Sequence, residues 1–595
     1  MIKNRKGIAL AISFLVIIVL VILGSVFILR SVGEKNAADK EKKSIQAFYL
    51  GEAGANEALN RLVVLINSDL MLTVNSTNPQ VLANNVRSYV NSSDGLVFLA
   101  NYTKENNTPQ FICPQNCSNC QNCTFITYNG QITNFGQGNY QYIITVNENG
   151  NPTTITTDVW DFPYNYKISS TGTVAGIPRK IISSGDFTVR VQHDNFARYA
   201  LFDVHHTTPG GDAVWFTSRT NFSGPVHTND QYRFYGNPNS VPVGISGTFE
   251  GLVTQHLNKA WFYNLGSPFQ ADQDSNPGKD VPVLNAGFQR GVNEINLESS
   301  VTQQDLMNQA QGGVGGSYAD GIYVNNDGSN VIGGIYIKGN STIEMGKDVN
   351  ENATYNIVQG GSNKIITVDY VNNQTTVQTA GGPTNVYNGK PDGIDNLGTI
   401  IYADGAVDSL KGTVQKDSQV TVSSQGNIII TDHIMYEDYN PAQGVPGQPG
   451  YVPPNAEGKT NLLGILSWGG DVNIGTSSPN DINLHGTMMA RNGIFTVESY
   501  SSRCNSNPSC DSQLPSGGCG AATLLGGAIT NFYGAFGTFC AGDGRPRSGY
   551  GRNFVYDERM AQGNAPPYFP SMRTFIALTP NDTIKDKITW QEGGQ

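Results

Sequence analysis

The chain has 595 residues and a formal net charge of −11; only 14% of its residues are charged, against about 25% in a typical soluble domain, and 68 are glycine. This composition excludes a coiled coil over most of the length. It also argues against a lysine- and glutamate-rich helical protein and against one long cationic nucleic-acid groove. It favours two or three packed units of mostly turn-rich β structure.

The N-terminus combines a short basic leader with a long apolar segment. Residues 1–7 carry three positive charges and no negative charge, and residues 8–29 carry no charge at all. A helix of that length spans about 33 Å, the thickness of one bilayer core. We expect the basic end to stay in the cytoplasm and the rest to be exported. A cleaved signal peptide is the alternative, although this run is longer than usual and ends in Arg30.

A helical pattern continues beyond the apolar segment. Apolar side chains recur at three- and four-residue steps, and no proline occurs before Pro79. The sequence therefore predicts one stem helix over residues 8–67, with residues 8–29 in the membrane. The residues of this pattern are Ile45, Phe48, Ala55, Leu59, Leu62 and Ile66.

The leader, Gly7 and the apolar helix together resemble the N-terminus of a type IV prepilin, and residues 46–59 resemble the second half of the stem in PilX-type minor pilins. The resemblance implies that prepilin peptidase cleaves between Gly7 and Ile8 and that Ile8 becomes the N-methylated mature terminus. It also implies the partners, which are other major and minor pilins, the peptidase and the inner-membrane assembly platform.

One position departs from the pattern of major pilins, which carry Glu at the fifth position of the mature chain. Counted from Ile8, that position is Ile12. In the family, the glutamate pairs with the terminal amine of a neighbouring subunit, because a lone carboxylate in an apolar bundle is costly. PilX-type pilins and tip pseudopilins share its absence, which favours a rare subunit at or near the tip.

The exported part is predicted to be mostly β structure, giving an α+β fold. The resemblance to pilins implies that residues 68–198 form a pilin-like head, a small antiparallel sheet against the stem. Residues 199–545 contain short apolar runs between Gly, Asn and Asp, which favour a large β-solenoid-like domain, with a β-sandwich as the alternative. Residues 546–595 are expected to pack back on the head. The strands predicted in the head are residues 140–147, 153–159, 166–173 and 179–192.

Several short sequence segments resemble parts of the DUF4900 domain, which occurs together with PilX-type N-termini. With the stem, this resemblance extends over nearly the whole chain, but it implies no chemical activity. These segments are residues 196–202, 224–229, 483–490, 552–559 and 566–570.

Eight cysteines form two sets in the exported part, and an even number in an oxidising compartment favours disulfides. The spacing of the first set would also suit zinc or an iron–sulfur cluster. In the second set, proximity in sequence favours Cys504–Cys510 and Cys519–Cys540. The first set is Cys113, Cys117, Cys120 and Cys123; the second is Cys504, Cys510, Cys519 and Cys540.

Two further groups of residues have weaker patterns that could bind a metal ion. Asp272, Asp274, Asn276 and Asp280 place oxygen ligands at alternating positions, as a loose calcium loop requires, although Pro277 excludes an EF-hand and a solvated turn explains them equally simply. The second pattern is four histidines spaced roughly one solenoid coil apart, for which unrelated surface positions are the simpler explanation. They are His205, His206, His227 and His256.

The sequence therefore predicts a structural protein, a PilX-like minor pilin that aids pilus assembly. It would sit in the inner membrane by a single pass and then on the pilus, with the head in the periplasm or outside the cell. The alternative is a tip module for DNA uptake or for adhesion to a surface or polysaccharide. A carbohydrate-active enzyme is a third hypothesis, but no nucleophile elbow, Walker loop or zinc motif supports catalysis. No cofactor other than calcium is expected.

Overall fold

The structure is a computed structural model of the chain. It describes residues 5–69, 124–136, 138–149, 153–156, 159–236, 244–264, 267–297, 301–313, 315–444, 450–511, 513–542, 544–561, 564–578 and 589–592.

The chain forms two compact units, which we call the head unit and the β unit. The head unit contains residues 1–193 and 574–595, and the β unit contains residues 194–573. The β unit is therefore an insertion within the sequence of the head unit. Because the division falls at 573/574, residues 546–573 belong to the β unit, whereas the sequence analysis assigned them to the head.

The described residues are mostly β structure, with three α-helices. The helices are α1 (Arg5–Asp69), α2 (Gln303–Gln311) and α3 (Glu558–Ala561). The first strands are β1 (Thr124–Phe135), β2 (Gly138–Glu148), β3 (Thr153–Thr156), β4 (Val159–Val174), β5 (Ile177–Asn195), β6 (Leu201–His205), β7 (Thr220–Phe222), β8 (Val226–Thr228), β9 (Arg233–Phe234), β10 (Ile245–Phe249), β11 (Val253–Gln255), β12 (Ala260–Asn264), β13 (Ser267–Ala271), β14 (Val281–Leu284) and β15 (Phe288–Arg290).

The remaining strands follow in chain order. They are β16 (Gly321–Asn326), β17 (Val331–Lys338), β18 (Ser341–Lys347), β19 (Ala353–Gln359), β20 (Ser362–Asp369), β21 (Gln374–Thr379), β22 (Thr384–Asn388), β23 (Thr399–Asp404), β24 (Val407–Val414), β25 (Gln419–Ser424), β26 (Ile428–Tyr436), β27 (Leu462–Ser467), β28 (Val472–Ile474), β29 (Ile482–Val497), β30 (Ala521–Tyr533), β31 (Gly537–Phe539), β32 (Pro546–Gly549), β33 (Gly551–Val555), β34 (Ser571–Leu578) and β35 (Thr589–Glu592).

The head unit is an antiparallel sheet with the second half of α1 packed on it. The strand order is β1-β2-β4-β5-β34, with β3 on β4 and β35 on β5. In strands β2 and β4, buried side chains alternate with more exposed ones, which directs the apolar set towards the helix. The buried members of this alternation are Tyr140, Tyr142, Ile144, Tyr164, Tyr166 and Ile168.

The β unit is built around rows of parallel strands. The chain enters in the middle of one row at β6 and runs outward through β8 and β11 to β15. It then starts again at the opposite end with β17 and returns through β23, β25, β27 and β29 to β30, which pairs with β6. The register stacks buried apolar residues at successive levels: Ile335, Ile401, Val422, Ile465, Met488, Ala528, Leu201, Val226 and Val253.

One end of this row is covered by α2, a helix that the sequence analysis missed. Thr302 and Asp305 form a capping box at its start, and Leu306 and Ala310 are buried against the neighbouring strands. Close packing depends on Gly334 of β17, because a Cβ there would lie 3.1 Å from the Cα of Ala310. Strands β18 to β22 form a series of antiparallel hairpins outside this row, in which each strand pairs with the next along the chain.

Most predicted elements lie within observed ones. The predicted stem helix, residues 8–67, lies within α1, and residues 140–147 lie within β2. The predicted strand at residues 153–159 is divided between β3 and the start of β4. The predicted strands at residues 166–173 and 179–192 lie within β4 and β5.

Candidate functional site

The first half of α1 is an exposed apolar rod. Its most apolar 18-residue window has a mean hydropathy of 3.2 and none of it is buried, so this helix is long and apolar enough to cross a membrane. Ile8 is 60% exposed and Phe27 is 78% exposed. Burying such a surface in lipid or among other helices would be strongly favourable, because apolar burial contributes about 25 cal/mol per Å².

The few polar groups of this rod are satisfied within the helix itself. The Ser13 hydroxyl donates to the carbonyl oxygen of Ala9 at 2.6 Å, and the Ser25 hydroxyl donates to that of Val21 at 2.7 Å. Such back-bonding lets serine sit in an apolar environment without an unpaired donor. The rod ends at Arg30, which forms an exposed ion pair with Glu34.

The second half of α1 packs on the head sheet through small residues. A Cβ at Gly172 of β4 would lie 2.1 Å from the carbonyl oxygen of Ala47 and 2.4 Å from the amide nitrogen of Gly51. A Cβ at Gly54 would lie 2.5 Å from the Ser170 hydroxyl oxygen. The backbones of helix and strand therefore approach closely, which fixes the direction in which the exposed rod leaves the head.

Polar contacts flank this helix–sheet contact. The Tyr140 hydroxyl donates to a carboxylate oxygen of Glu57, and the Tyr142 hydroxyl lies 3.4 Å from the other. Burial, and then the carboxylate of Glu57, raise the pKa of Tyr140 to about 12, so this phenol keeps its proton. The Arg179 guanidinium donates to the Ser44 hydroxyl at 2.6 Å.

The predicted processing residues lie at the exposed end of the rod. Gly7, Ile8 and Ile12 all belong to α1 and are exposed, and a Cβ at Gly7 would meet nothing within 4 Å. The first four residues of the predicted leader lie outside the described residues.

The second cysteine set forms two disulfides, but in a different pairing from the predicted one. Cys504 pairs with Cys519 and Cys510 pairs with Cys540. The prediction from proximity was wrong because the loop after β29 folds back on itself, and the Gly518 amide donates to the Cys504 carbonyl oxygen at 2.8 Å. The first set, Cys113, Cys117, Cys120 and Cys123, lies outside the residues whose side chains are described.

Of the predicted calcium residues, Asn276 and Asp280 are joined by a backbone bridge, whereas Asp274 has a separate partner. Asp274 forms an ion pair with Arg290, whereas one carboxylate oxygen of Asp280 accepts a hydrogen bond from the Gly236 amide at 2.5 Å in the interior. Burial raises the pKa of Asp280 to about 6. The described residues contain no group of three or more acidic, histidine or cysteine side chains arranged to hold a metal. Calcium binding by Asp272, Asp274, Asn276 and Asp280 stays a prediction.

The four histidines do not stack as a metal site either. Each has its own partner within the described part of the β unit. His206 Nδ1 lies 3.0 Å from an Asp203 carboxylate oxygen, and His227 Nδ1 lies 2.9 Å from the Thr254 hydroxyl. The ring of His205 packs on Phe532, and His256 Nδ1 lies 2.8 Å from a backbone carbonyl oxygen.

The β unit contains a cavity of about 260 Å³ that the sequence analysis did not predict, which we call the arginine cavity. It is lined by the loop after β6, by Tyr500 and by the β31–β32 hairpin. Arg219 and Arg552 both contribute to its wall. No pattern in the sequence marks it, because its residues come from positions more than 300 apart and only the strand pairing brings them together.

Neither guanidinium group of this cavity forms an ion pair with a carboxylate of the described residues, although the guanidinium carbon of Arg552 lies 5.0 Å from the ring centroids of Tyr533 and Phe536. Arg219 donates to the carbonyl oxygens of Cys519 at 2.7 Å and Gly520 at 3.0 Å. Arg552 is only 8% exposed, and its buried Nε has no hydrogen-bond partner among the described residues. Burial and the neighbouring Arg552 lower the pKa of Arg219 to about 10, although Asp481 acts in the opposite direction. Both side chains remain charged at neutral pH.

Comparison with known families matches residues 161–242 to a domain of unknown function, DUF4900. The match begins in β4 and ends in the first part of the β unit, and it is under a sixth of the chain. Five short sequence segments carried the resemblance to DUF4900. The matched range does not include three of them, at residues 483–490, 552–559 and 566–570. Searches of curated proteins and of solved structures found no match.

Proposed function

We propose that the chain is a minor subunit of a type IV pilus, similar to PilX-type pilins, placed at or near the tip. The observation that carries the proposal is the division of α1. Its first half is an exposed apolar rod, and its second half is held on an antiparallel sheet by close contacts at Gly51, Gly54 and Gly172. A rod of this kind is suited to packing among the stems of other pilins after leaving the membrane.

The proposed path follows from the same helix. The chain would sit in the inner membrane by a single pass, be cleaved by prepilin peptidase between Gly7 and Ile8, and be methylated at Ile8. The assembly platform would then insert it among major and minor pilins. Ile12 supports a low copy number, because the subunit carries no carboxylate there that would need the amine of a neighbour.

We further propose that the β unit is a β-solenoid displayed outside the cell or in the periplasm. The in-register parallel pairings, such as Ile401 with Val422 and Val422 with Ile465, support coils stacked one on another. The two disulfides, Cys504–Cys519 and Cys510–Cys540, support an oxidising compartment. We assign the protein no catalytic role. Binding of DNA, a surface or a polysaccharide at the tip stays the alternative.

Mass spectrometry of sheared surface filaments tests the proposal. We expect a mature chain that begins at N-methylated Ile8, present in small amounts beside a major pilin. The matched variant is Gly7→Val, which adds side-chain atoms where nothing lies within 4 Å and should therefore leave the fold intact. We expect this variant to stay unprocessed in the inner membrane. A wild-type chain that is uncut, or cut after the apolar segment, would contradict the proposal.

A further inference from the structure

We propose that the arginine cavity binds a carboxylate-bearing sugar unit of an acidic polysaccharide. The inference deepens the binding alternative given above. It does not require incorporation into a pilus, so the two proposals can fail separately.

The first step is that the cavity is built for an anion. Arg219 and Arg552 are close enough for their charges to repel, and neither forms an ion pair with a carboxylate of the described residues. Burying two cations that have no carboxylate partner costs free energy, which the rings of Tyr533 and Phe536 offset in part for Arg552, and a bound anion would offset it further. Arg219 is half-buried in the cavity wall, and it is the guanidinium group that an anion in the cavity would contact first. Guanidinium groups bind carboxylates with short, charge-assisted hydrogen bonds.

The second step is that the remaining lining suits a sugar ring. Aromatic side chains line the cavity at Trp215, Tyr500 and Phe539, and a negative π face favours the C–H face of a sugar. Hydroxyl groups, for example at Thr538, are both donors and acceptors for sugar hydroxyls. The carboxylate of Asp212, also in the lining, can only accept hydrogen bonds at neutral pH, which a sugar hydroxyl can donate.

The third step is the choice of a sugar over a nucleic acid. A nucleic-acid strand needs a groove with cations that follow successive phosphates. Here the two cations share one small cavity, Asp212 in the same lining would repel a phosphate chain, and the net charge of the whole chain is −11. A single buried anionic group on a neutral or hydroxyl-rich frame fits this arrangement better than a polyanionic backbone.

The loops that carry the lining are held by covalent links. The Cys510–Cys540 disulfide joins the loop after β29, which carries Tyr500, to the segment just after β31, which carries Phe539. A cavity with a fixed rim loses less conformational entropy when it binds, which favours recognition of a small rigid unit.

Calorimetric titration of the full-length protein in detergent tests the inference. The probes are the trisaccharides of galacturonate and glucuronate, with the trisaccharides of galactose and glucose as neutral counterparts. We expect at least one acidic trisaccharide to bind at least tenfold more tightly than its neutral counterpart. Arg219→Gln and Arg552→Gln should each weaken that binding about ten- to a hundredfold, as loss of a charge-assisted hydrogen bond implies.

Two further variants separate binding from folding. Trp215→Ala changes a half-buried aromatic residue of the lining and should weaken binding of the acidic probe without unfolding the chain. Arg491→Gln removes a half-buried arginine of the β unit that does not line the cavity, and it should leave binding unchanged. If Arg552→Gln fails to fold, the affinities of the folded Arg219→Gln and Trp215→Ala proteins for the acidic probe decide whether the inference holds.

Three results would overturn the inference. The first is that neither acidic trisaccharide binds, or that each binds no more tightly than its neutral counterpart. The second is that folded Arg219→Gln and Trp215→Ala proteins keep wild-type affinity for the acidic probe. The third is that a thymidine oligonucleotide displaces the acidic trisaccharide and binds more tightly. Each result leaves the pilus proposal standing, because that proposal is tested by the mature N-terminus.

Discussion

At the scale of single residues, the most strongly perturbed histidine is His485, at the centre of the β unit. It is 1% exposed, and its Nδ1 accepts a hydrogen bond from the Tyr436 amide at 3.0 Å. Burial, with smaller contributions from Arg559 and His433, lowers the pKa of His485 to about 3. The neutral imidazole is therefore the form that the folded protein accommodates.

This histidine should make the β unit sensitive to acid. Its folded pKa lies below the unfolded value of about 6.5, so its contribution to stability is complete above pH 6.5 and decreases as the pH falls towards 3. The decrease is about 1.4 kcal/mol per pH unit. His485→Asn keeps a hydrogen-bond acceptor for Tyr436 but does not titrate. We expect the melting temperature of the variant to fall less steeply than that of wild type between pH 6 and 4.

Comparison of the two Tm–pH curves checks this expectation. Other buried histidines, such as His206 and His227, also have lowered pKa values and contribute to the wild-type slope, so only the difference between the curves reports on His485. Parallel curves would show that His485 is not the group responsible. His205→Asn is the control, because His205 is a solvent-exposed histidine of the β unit that does not act on the pKa of His485.

Individual site residues were the least predictable part of the molecule. The disulfide partners depend on a loop that folds back to place Cys504 beside Cys519, which spacing does not encode. Among the acidic residues at 272–280, Asp274 pairs with Arg290 and Asp280 accepts a hydrogen bond from the Gly236 amide, and their sequence pattern indicates neither partner. No pattern in the sequence indicated the arginine cavity. In each case, the decisive contact joins residues that only the tertiary fold brings together.

At the scale of elements, Gly172 determines how α1 lies on the head sheet. Gly172→Ala would place a Cβ 2.1 Å from the Ala47 carbonyl oxygen, a contact that helix and strand can relieve only by separating. We expect a loss of about 1–3 kcal/mol, as for other overpacked contacts. Hydrogen exchange of residues 44–62 should become faster in the variant. Gly361→Ala is the control, since nothing lies within 4 Å of a Cβ there.

The elements were predicted far better than the individual site residues. The stem helix could be located because a long uncharged segment followed by a helical repeat has few other structural solutions. Strands β2 and β5 were located within about three residues by β-branched runs between turn residues. Helix α2 was missed although Thr302 and Asp305 carry a capping box, because a nine-residue helix among strands offers too few turns for its periodicity to be seen.

At the scale of the whole molecule, the β unit interrupts the head sheet between β5 and β34, which are neighbours in that sheet. The sequence analysis instead placed the β domain between a complete head and a C-terminal segment beginning at residue 546. The error has a physical origin. The chain enters the stack of parallel strands in the middle and leaves it there, so the last strands of the β unit resemble its first ones and no change in composition marks the exit.

This arrangement predicts that the β unit can fold without the head. Its entry strand β6 pairs with β30, so the row of apolar residues is complete within residues 194–573. We expect that fragment, expressed in an oxidising compartment, to show a β-type circular dichroism spectrum and one cooperative melting transition. An unfolded or aggregated fragment, under conditions in which the full chain is folded, would contradict the prediction.

The control is the fragment of residues 301–573, which keeps β17, β23, β25, β27, β29 and β30 of the parallel row but loses β6 and the strands that follow it, β7 to β15. Its strand β30 would expose the edge that normally pairs with Leu201 and Phe202, and an uncovered apolar edge of this kind promotes association between chains. We therefore expect the shorter fragment to aggregate while the complete one stays monomeric in size-exclusion chromatography. If both fragments behave alike, then the pairing of β6 with β30 is not what closes the β unit, and its independent folding would rest on the strands from β16 onward.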